Sequence, residues 1–368
     1  MLTNKSEWVF DDVHQQKLIA LVIANTLRTE LGPTYRLTPE YHSEASWKAR
    51  NRSESVETSM NWLREYSPTL VLPLLPKNAS FEVIKQFMES PRLDRHPVVK
   101  VRRVYADFET SRDKRFWHGS QREDDWPVYA GESFDIWNPD TGRYYAFTTP
   151  NPVKEAAHRK WNRAPRTSPY AELPLQYRME PHNHPIYSAR IAFRNVTNRT
   201  NTRTLLSALI PPCVITVEMA HWVLWLNPEH PKWHEAYLLG MMASIPLDWW
   251  CRRFIEGHAD QEAFNCLRIP DCSVKPAMTT RIVNLAARLA CPDQRFARWA
   301  KAVGVEYGRL ADDEKQDMIH ELDAVVAHLY GLTEPQLRHI FETFHEGWDY
   351  HERLDATVTH YRTWQNRL

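Results

Sequence analysis

The sequence predicts an α+β fold: a small α/β N-terminal part, a strand-rich middle and a helical C-terminal part. Three observations predict it. Apolar residues recur at helical spacing near the N-terminus and again from about residue 277 onward. Between residues 98 and 148 the period falls to two. The 368 residues, 43% hydrophobic and 25% charged, suffice for two or three domains with real cores.

Taken in order, residues 11–31 read as an amphipathic helix through Leu18, Leu21, Val22 and Leu27, ended by Gly32-Pro33. Residues 34–41 read as a strand, 44–65 as a polar helix and 69–76 as a compact apolar strand. A helix over 81–88 stops at Ser90-Pro91. Strands follow at 98–105, 127–136 and 143–148, the last two separated by turn residues 138–142. A basic helix at 154–163 leads into a Pro-punctuated linker. Next come a strand, a run rich in Asn, Arg and Thr, and a second apolar element closed by Pro211-Pro212. Residues 221–226 read as a strand and 232–257 as one long helix kinked at Pro246. Helices at 277–289, 294–303, 312–330 and 334–344 complete the chain. This divides it into an N-terminal spacer or docking region (1–76), a strand-rich recognition region (77–275) and a helical region (276–368).

Formal net charge is zero, but charge is unevenly placed. Residues 154–203 hold ten bases against three acids, and 92–115 are also base-rich. A basic middle in a neutral body suits a nucleic-acid face, or equally a solvated basic surface. Five cysteines without a CxxC spacing point to reduced thiols and a cytoplasmic protein. The N-terminus carries no secretory pattern, and no apolar run approaches the ~18–20 residues of a membrane helix.

Catalytic patterns are scarce. With ten glycines the chain offers no GxG or GxxxxGK cradle for a nucleotide or methyl donor. Its Pro-Pro pair follows Ile210 and precedes Cys213, unlike the Asn/Asp-Pro-Pro-aromatic tetrapeptide of amino-methyltransferases. His158, His182 and His184, or His230, His234 and Glu235, are thin metal sets, as are Cys266 and Cys272 with His258. Asp107, Glu109 and Lys114 approach a magnesium-nuclease pattern only loosely. No catalytic residue and no cofactor is assigned to this chain.

The middle is better suited to contact than to chemistry. Arg and Asn read base edges, while Thr and Lys hold phosphate. The candidate DNA-contacting residues are therefore Arg194, Asn195, Thr197, Asn198, Arg199, Asn201 and Arg203. Lys154, Arg159, Lys160 and Arg163 join them as a phosphate-tracking helix. The asparagines serve equally as turn formers, and the basic helix equally as a solvated face. Residues 115–119 and 144–147 could stack on bases or fill a strand core.

Several motifs together carry a family likeness. RNVTNRTNTRTLLSALIPP, YLLGMMASIPLDWWCRRFIE, LRIP and ELDAVVAHLYGLTEPQLRHIFETF occur in that order. With WPVYAGESFDIWNPDTGRYYAF and LTNKSEWVFDDVHQQKLIAL, they resemble the C-terminal half of large adenine-specific DNA methyltransferases. That group includes type IIG and single-polypeptide type I restriction–modification enzymes and the methylases of BREX and DISARM phage defence. The resemblance implies a target-recognition domain followed by a helical domain. The methyltransferase core and any nuclease domain have no counterpart here. The implied function is a DNA specificity subunit that binds double-stranded DNA and pairs with a catalytic methyltransferase subunit holding S-adenosylmethionine. A scaffold subunit without base readout, and a stand-alone metal nuclease, are the alternatives.

Overall fold

A computed structural model describes residues 2–3, 9–10, 18–19, 34–50, 55–198 and 201–367. The N-terminal helix expected over 11–31 lies outside these residues, except that β2 (Leu18–Ile19) pairs antiparallel with β1 (Leu2–Thr3). Strand β3 (Thr34–Leu37) pairs with β4 (Val56–Ser59). Between them lies the short helix α1 (Glu44–Lys48), closed at its start by a reciprocal Ser43–Ser46 capping box. Helix α2 (Met60–Tyr66) begins where Ser59 caps Trp62. The single polar helix expected over 44–65 is therefore two short helices with a strand between. Val56 and Thr58, β-branched on either side of Glu57, favour that strand. Residues 69–76 form no strand. They run without ladder partners, with Leu74 and Leu75 buried and Leu70 in the left-handed region at φ 60°. Helix α3 (Ser80–Met88) follows as expected.

The remaining strands are β5 (Val101–Val104), β6 (Trp126–Tyr129), β7 (Ala146–Thr148), β8 (Arg190–Arg194), β9 (Ser207–Ile210), β10 (Ile215–Thr216) and β11 (Ala220–Trp225). Helices α4 (Pro150–Asn162) and α5 (Leu175–Met179) fall between β7 and β8. One antiparallel sheet has the order β5-β11-β8-β9, in the register Val104↔Trp222, Trp222↔Ala192 and Ala192↔Ala208. It is covered on both faces. Ile191, Phe193, Leu209 and Val223 enter the main core, while Ala192, Ala208, Ile210 and Trp222 enter a second. That double burial is why β9 and β11 are mostly apolar instead of alternating, with Ser207 and His221 also buried. A second sheet has the order β10-β6-β7, with β10 parallel to β6, and α4 covers it through Val153, Ala156 and Ala157.

The helices that follow are α6 (Lys232–Ala243), α7 (Ile245–Cys251), α8 (Gln261–Asn265) and α9 (Pro276–Ala290). Then come α10 (Ala297–Val303), α11 (Asp312–Leu329), α12 (Glu334–Glu342) and α13 (His351–Gln365). The long kinked helix expected over 232–257 is in fact α6 and α7. Ser244 is extended and caps Leu247, and Pro246 sits in the first turn of α7, so the proline starts a helix instead of bending one. A 3₁₀ turn over Gln294–Phe296 replaces the start of the helix expected at 294–303. Helix α6 is buried almost all round, between β9, α9 and α10. A Cβ on its Gly240 would lie 2.8 Å from Ile282 Cγ2 and 3.0 Å from Ala286 Cβ, so the glycine sets how closely α6 and α9 approach. No helix among the described residues is long and apolar enough to cross a membrane.

Candidate nucleic-acid interface

The run joining β8 to β9 is held from inside the protein. Arg194 donates from Nε to the carbonyl of Gly131 at 2.6 Å and from Nη2 to that of Phe134 at 3.3 Å. Asn195 donates its backbone N–H to Met219, accepts that of Ala259, and reaches the Glu218 carbonyl with Nδ2 at 3.4 Å. Thr197 is buried and donates to the Thr204 carbonyl at 2.6 Å. The Asn198 carbonyl accepts from Asn201 N–H and from Thr204 Oγ1. Asn201 is exposed, but its carbonyl accepts from Arg252 Nη2 at 2.6 Å. Arg203 donates to Asp248 Oδ2 at 2.5 Å and to the carbonyls of Ala243 and Ser244 at 2.8 and 3.1 Å. Arg199 lies outside the described residues.

The cause is Asp248. It is fully buried in the first turn of α7, and a buried carboxylate must be paired and hydrogen-bonded. Arg203 supplies the charge, and the N–H groups of Thr204 and Leu205 donate to the same carboxylate. The Arg–Thr–Leu segment thus closes the β8–β9 connection onto the helical core.

The basic helix is placed differently. In α4, Val153, Ala156, Ala157 and Trp161 face inward at helical spacing, and Arg159, Lys160 and Arg163 are exposed. Arg178 donates to the carbonyls of Trp161 and Asn162 at 2.7 and 3.3 Å, closing the end of the helix. Lys154 is half-buried, with Nζ 4.7 Å from the centroid of the Trp126 ring. Arg159 lies 3.6 Å from Glu155, an exposed pair worth little. Arg163 has no carboxylate partner among the described residues.

Lys160 joins this helix to a loop. Its ammonium donates to Asp113 Oδ2 and to the Asp107 carbonyl, both at 3.1 Å, and lies 3.9 Å from the Phe108 ring centroid. Asp113 and Phe108 are buried, so the loop is seated against α4. Next to Asp113 the loop presents Lys114 and Arg115, exposed and without carboxylate partners among the described residues, and Arg112, paired with Glu109 at 3.2 Å. In the sequence these loop residues showed as base-rich composition over 92–115, as the loose Asp107/Glu109/Lys114 set and as the start of the aromatic stretch 115–119. Their approach to α4 is tertiary.

Asp107, considered above as a metal ligand, is committed elsewhere. Its Oδ2 accepts from Arg190 at 2.7 Å, from Thr216 N–H at 2.9 Å and from Thr216 Oγ1 at 3.1 Å. Arg190 and Asp107 are both buried, so this pair fastens β8 and β10 to the loop. Among the other histidine and acid sets, Glu235 is buried and takes contacts from His230 at 2.7 Å, Lys232 at 2.6 Å and Trp299 at 2.6 Å. The hydrogen bond from His230 and the charge of Lys232 hold its carboxyl below the usual range despite burial. His184 is buried, accepts the Ile186 N–H, and is pushed well below the usual histidine range by burial and by Arg190. No cluster of three or more metal-ligating side chains occurs among the described residues. The five cysteines are free thiols, and burial pushes Cys266 and Cys291 up to about 12.

No family model matches the sequence, and no curated protein matches it. Among solved structures, the type IIL restriction–modification enzyme MmeI, solved in complex with DNA, aligns with a TM-score of 0.37 at 12% identity. The alignment covers 83% of this chain and 40% of that one.

Proposed function

We propose that this chain binds double-stranded DNA as the sequence-recognition component of an adenine-specific restriction–modification or phage-defence system. On this reading it works with a separate catalytic methyltransferase chain, which holds the S-adenosylmethionine. The observation that carries the reading is the Lys160–Asp113 bond, which brings two basic segments into one surface. That bond ties the helix segment carrying Arg159 and Arg163 to the loop carrying Arg112, Lys114 and Arg115, while Lys154, nine residues before Arg163, lies about 180° round the helix from it. Arg159 and Arg163 are one turn apart on one face of α4, and with the loop cations they make a basic patch that can meet neighbouring phosphates of a duplex. The likeness of the sequence to the recognition half of adenine methyltransferases supports the same reading.

This assigns the predicted residues two kinds of work. Arg159 and Arg163 contact phosphate, Lys160 joins α4 to the basic loop through Asp113, and Lys154 covers Trp126. Arg194, Thr197 and Arg203 hold the recognition region in shape, and Asn195, Asn198 and Asn201 form its β8–β9 turn. Fluorescence anisotropy with labelled duplex DNA between about 50 and 200 mM salt tests it. Log affinity should fall linearly with log salt, by roughly 0.9 for each phosphate contact. Absence of salt-sensitive duplex binding overturns the reading.

A further inference from the structure

The loop over residues 119–125 crosses from the outer edge of the second sheet to its middle strand. Before it, His118 exchanges two backbone hydrogen bonds with Phe147 of β7, at 3.0 and 2.9 Å. After it, Trp126 begins β6. Strand β7 runs directly into α4, so the loop stands beside the N-terminal end of the basic helix, where Lys154 covers Trp126.

The loop is clamped at its base. His118 Nε2 and Asp125 Oδ2 are 2.6 Å apart, and the Asp125 side chain is only 3% exposed. The same oxygen accepts the Arg122 N–H at 2.8 Å, and Asp125 N–H donates back to the Arg122 carbonyl at 3.3 Å. Asp124 takes a left-handed conformation at φ 66°, which closes the turn. These contacts use backbone groups and the two clamp side chains. Gln121, Arg122, Glu123 and Asp124 are all exposed, and no ion pair among the described residues engages them. The clamp fixes the loop backbone from which these exposed side chains project, and a held framework is the first requirement for reading an exact hydrogen-bond pattern.

We infer that this clamped loop is a base-reading element, with Gln121 and Arg122 contacting base edges in the major groove. The inference rests on the DNA-binding reading above and adds a division of labour to it. Arg pairs in bidentate fashion with guanine, and Gln with adenine. Glu123 and Asp124 can accept from the cytosine amino group, a contact that belongs to base readout and not to phosphate binding. The strip along α4 supplies affinity that is blind to sequence, and the loop supplies the choice.

The test is selection from a randomised duplex library with the full chain, followed by salt titration on selected and scrambled duplexes. The wild type should enrich a defined sequence. The Gln121→Ala/Arg122→Ala double variant should keep the melting temperature and salt slope but lose preference for that sequence by about 5- to 100-fold. A His118→Ala variant, which keeps both readers and frees the clamp, should lose part of that preference. Enrichment of the same sequence by the double variant overturns the inference. So does salt-sensitive wild-type binding without any preferred sequence, although DNA binding by the basic strip then still stands. Absence of salt-sensitive binding removes both.

Discussion

Arg203 Nε lies 2.5 Å from Oδ2 of Asp248, and the Asp248 side chain has no solvent exposure. Removing one partner of such a pair strands the other charge, at a cost of about 3–5 kcal/mol. Arg203→Ala should therefore lower unfolding free energy by that order in urea denaturation. Arg203→Lys should recover only part, because the fork that also reaches the Ala243 and Ser244 carbonyls is lost. A loss below about 1 kcal/mol would show that the pair does not hold the β8–β9 connection.

Charge removal on the strip should act through salt. Replacing Lys114, Arg115, Arg159 and Arg163 together by alanine should reduce the salt slope by up to about 4, near one for each phosphate that a deleted cation had neutralised. All four side chains are exposed, so the melting temperature should change little. Arg194→Ala is the matching control. Its guanidinium caps two carbonyls, so stability should fall by about 1–3 kcal/mol while the salt slope stays unchanged.

Packing between α6 and α9 gives a third expectation. The Cβ of Gly240→Ala would approach Ile282 Cγ2 to 2.8 Å, and Ile282 is fully buried. Helix propensity favours alanine by about 1 kcal/mol, but overpacking costs about 1–3 kcal/mol. Gly240→Val, bulkier and a poorer helix former, should be clearly destabilised in thermal melts, and Gly240→Ala mildly so.

Stability should fall on mild acidification. Burial, and then the charge of Arg103, push His221 down to about 3, and burial pushes His339 down to about 4. Unfolding lets each histidine return to its ordinary value near 6.5 and take up a proton the folded state refuses. Their contribution is thus complete above about pH 6.5 and is lost as pH falls from there toward 4. Between about pH 5.5 and the folded-state value of each histidine the slope approaches about 1.4 kcal/mol per pH unit, and it fades as pH falls through that value. Urea titrations at pH 7.5 and 5 should show the loss, and His221→Gln should reduce it.

Much of this architecture was legible in the sequence, because burial imposes a period. The strands β5, β8 and β11, and helices α3, α4, α9, α11 and α12, fall where apolar spacing puts them. The α6–α7 break was hidden because Pro246 looks the same whether it bends a helix or begins one. The basic helix was legible as a strip of charge. The use of the Asn/Arg/Thr run was not, since Arg203 finds its carboxylate 45 residues downstream. A guanidinium donates to a buried carbonyl or to guanine with the same geometry, so residue type alone does not separate the two.

The main core draws on residues from Leu37 to Trp364 and includes α6, α9 and α11 together. The strand-rich part keeps two smaller cores of its own, built on α4 and the two sheets. One face of the four-stranded sheet nevertheless belongs to the main core, and Arg203 pairs with Asp248 of α7, so a graft that exchanges DNA preference between related chains and ends before Lys232 must keep that face and that pair matched to α6 and α7. A junction after α6 would separate that helix from α9 and ask two unrelated interiors to interlock around Gly240.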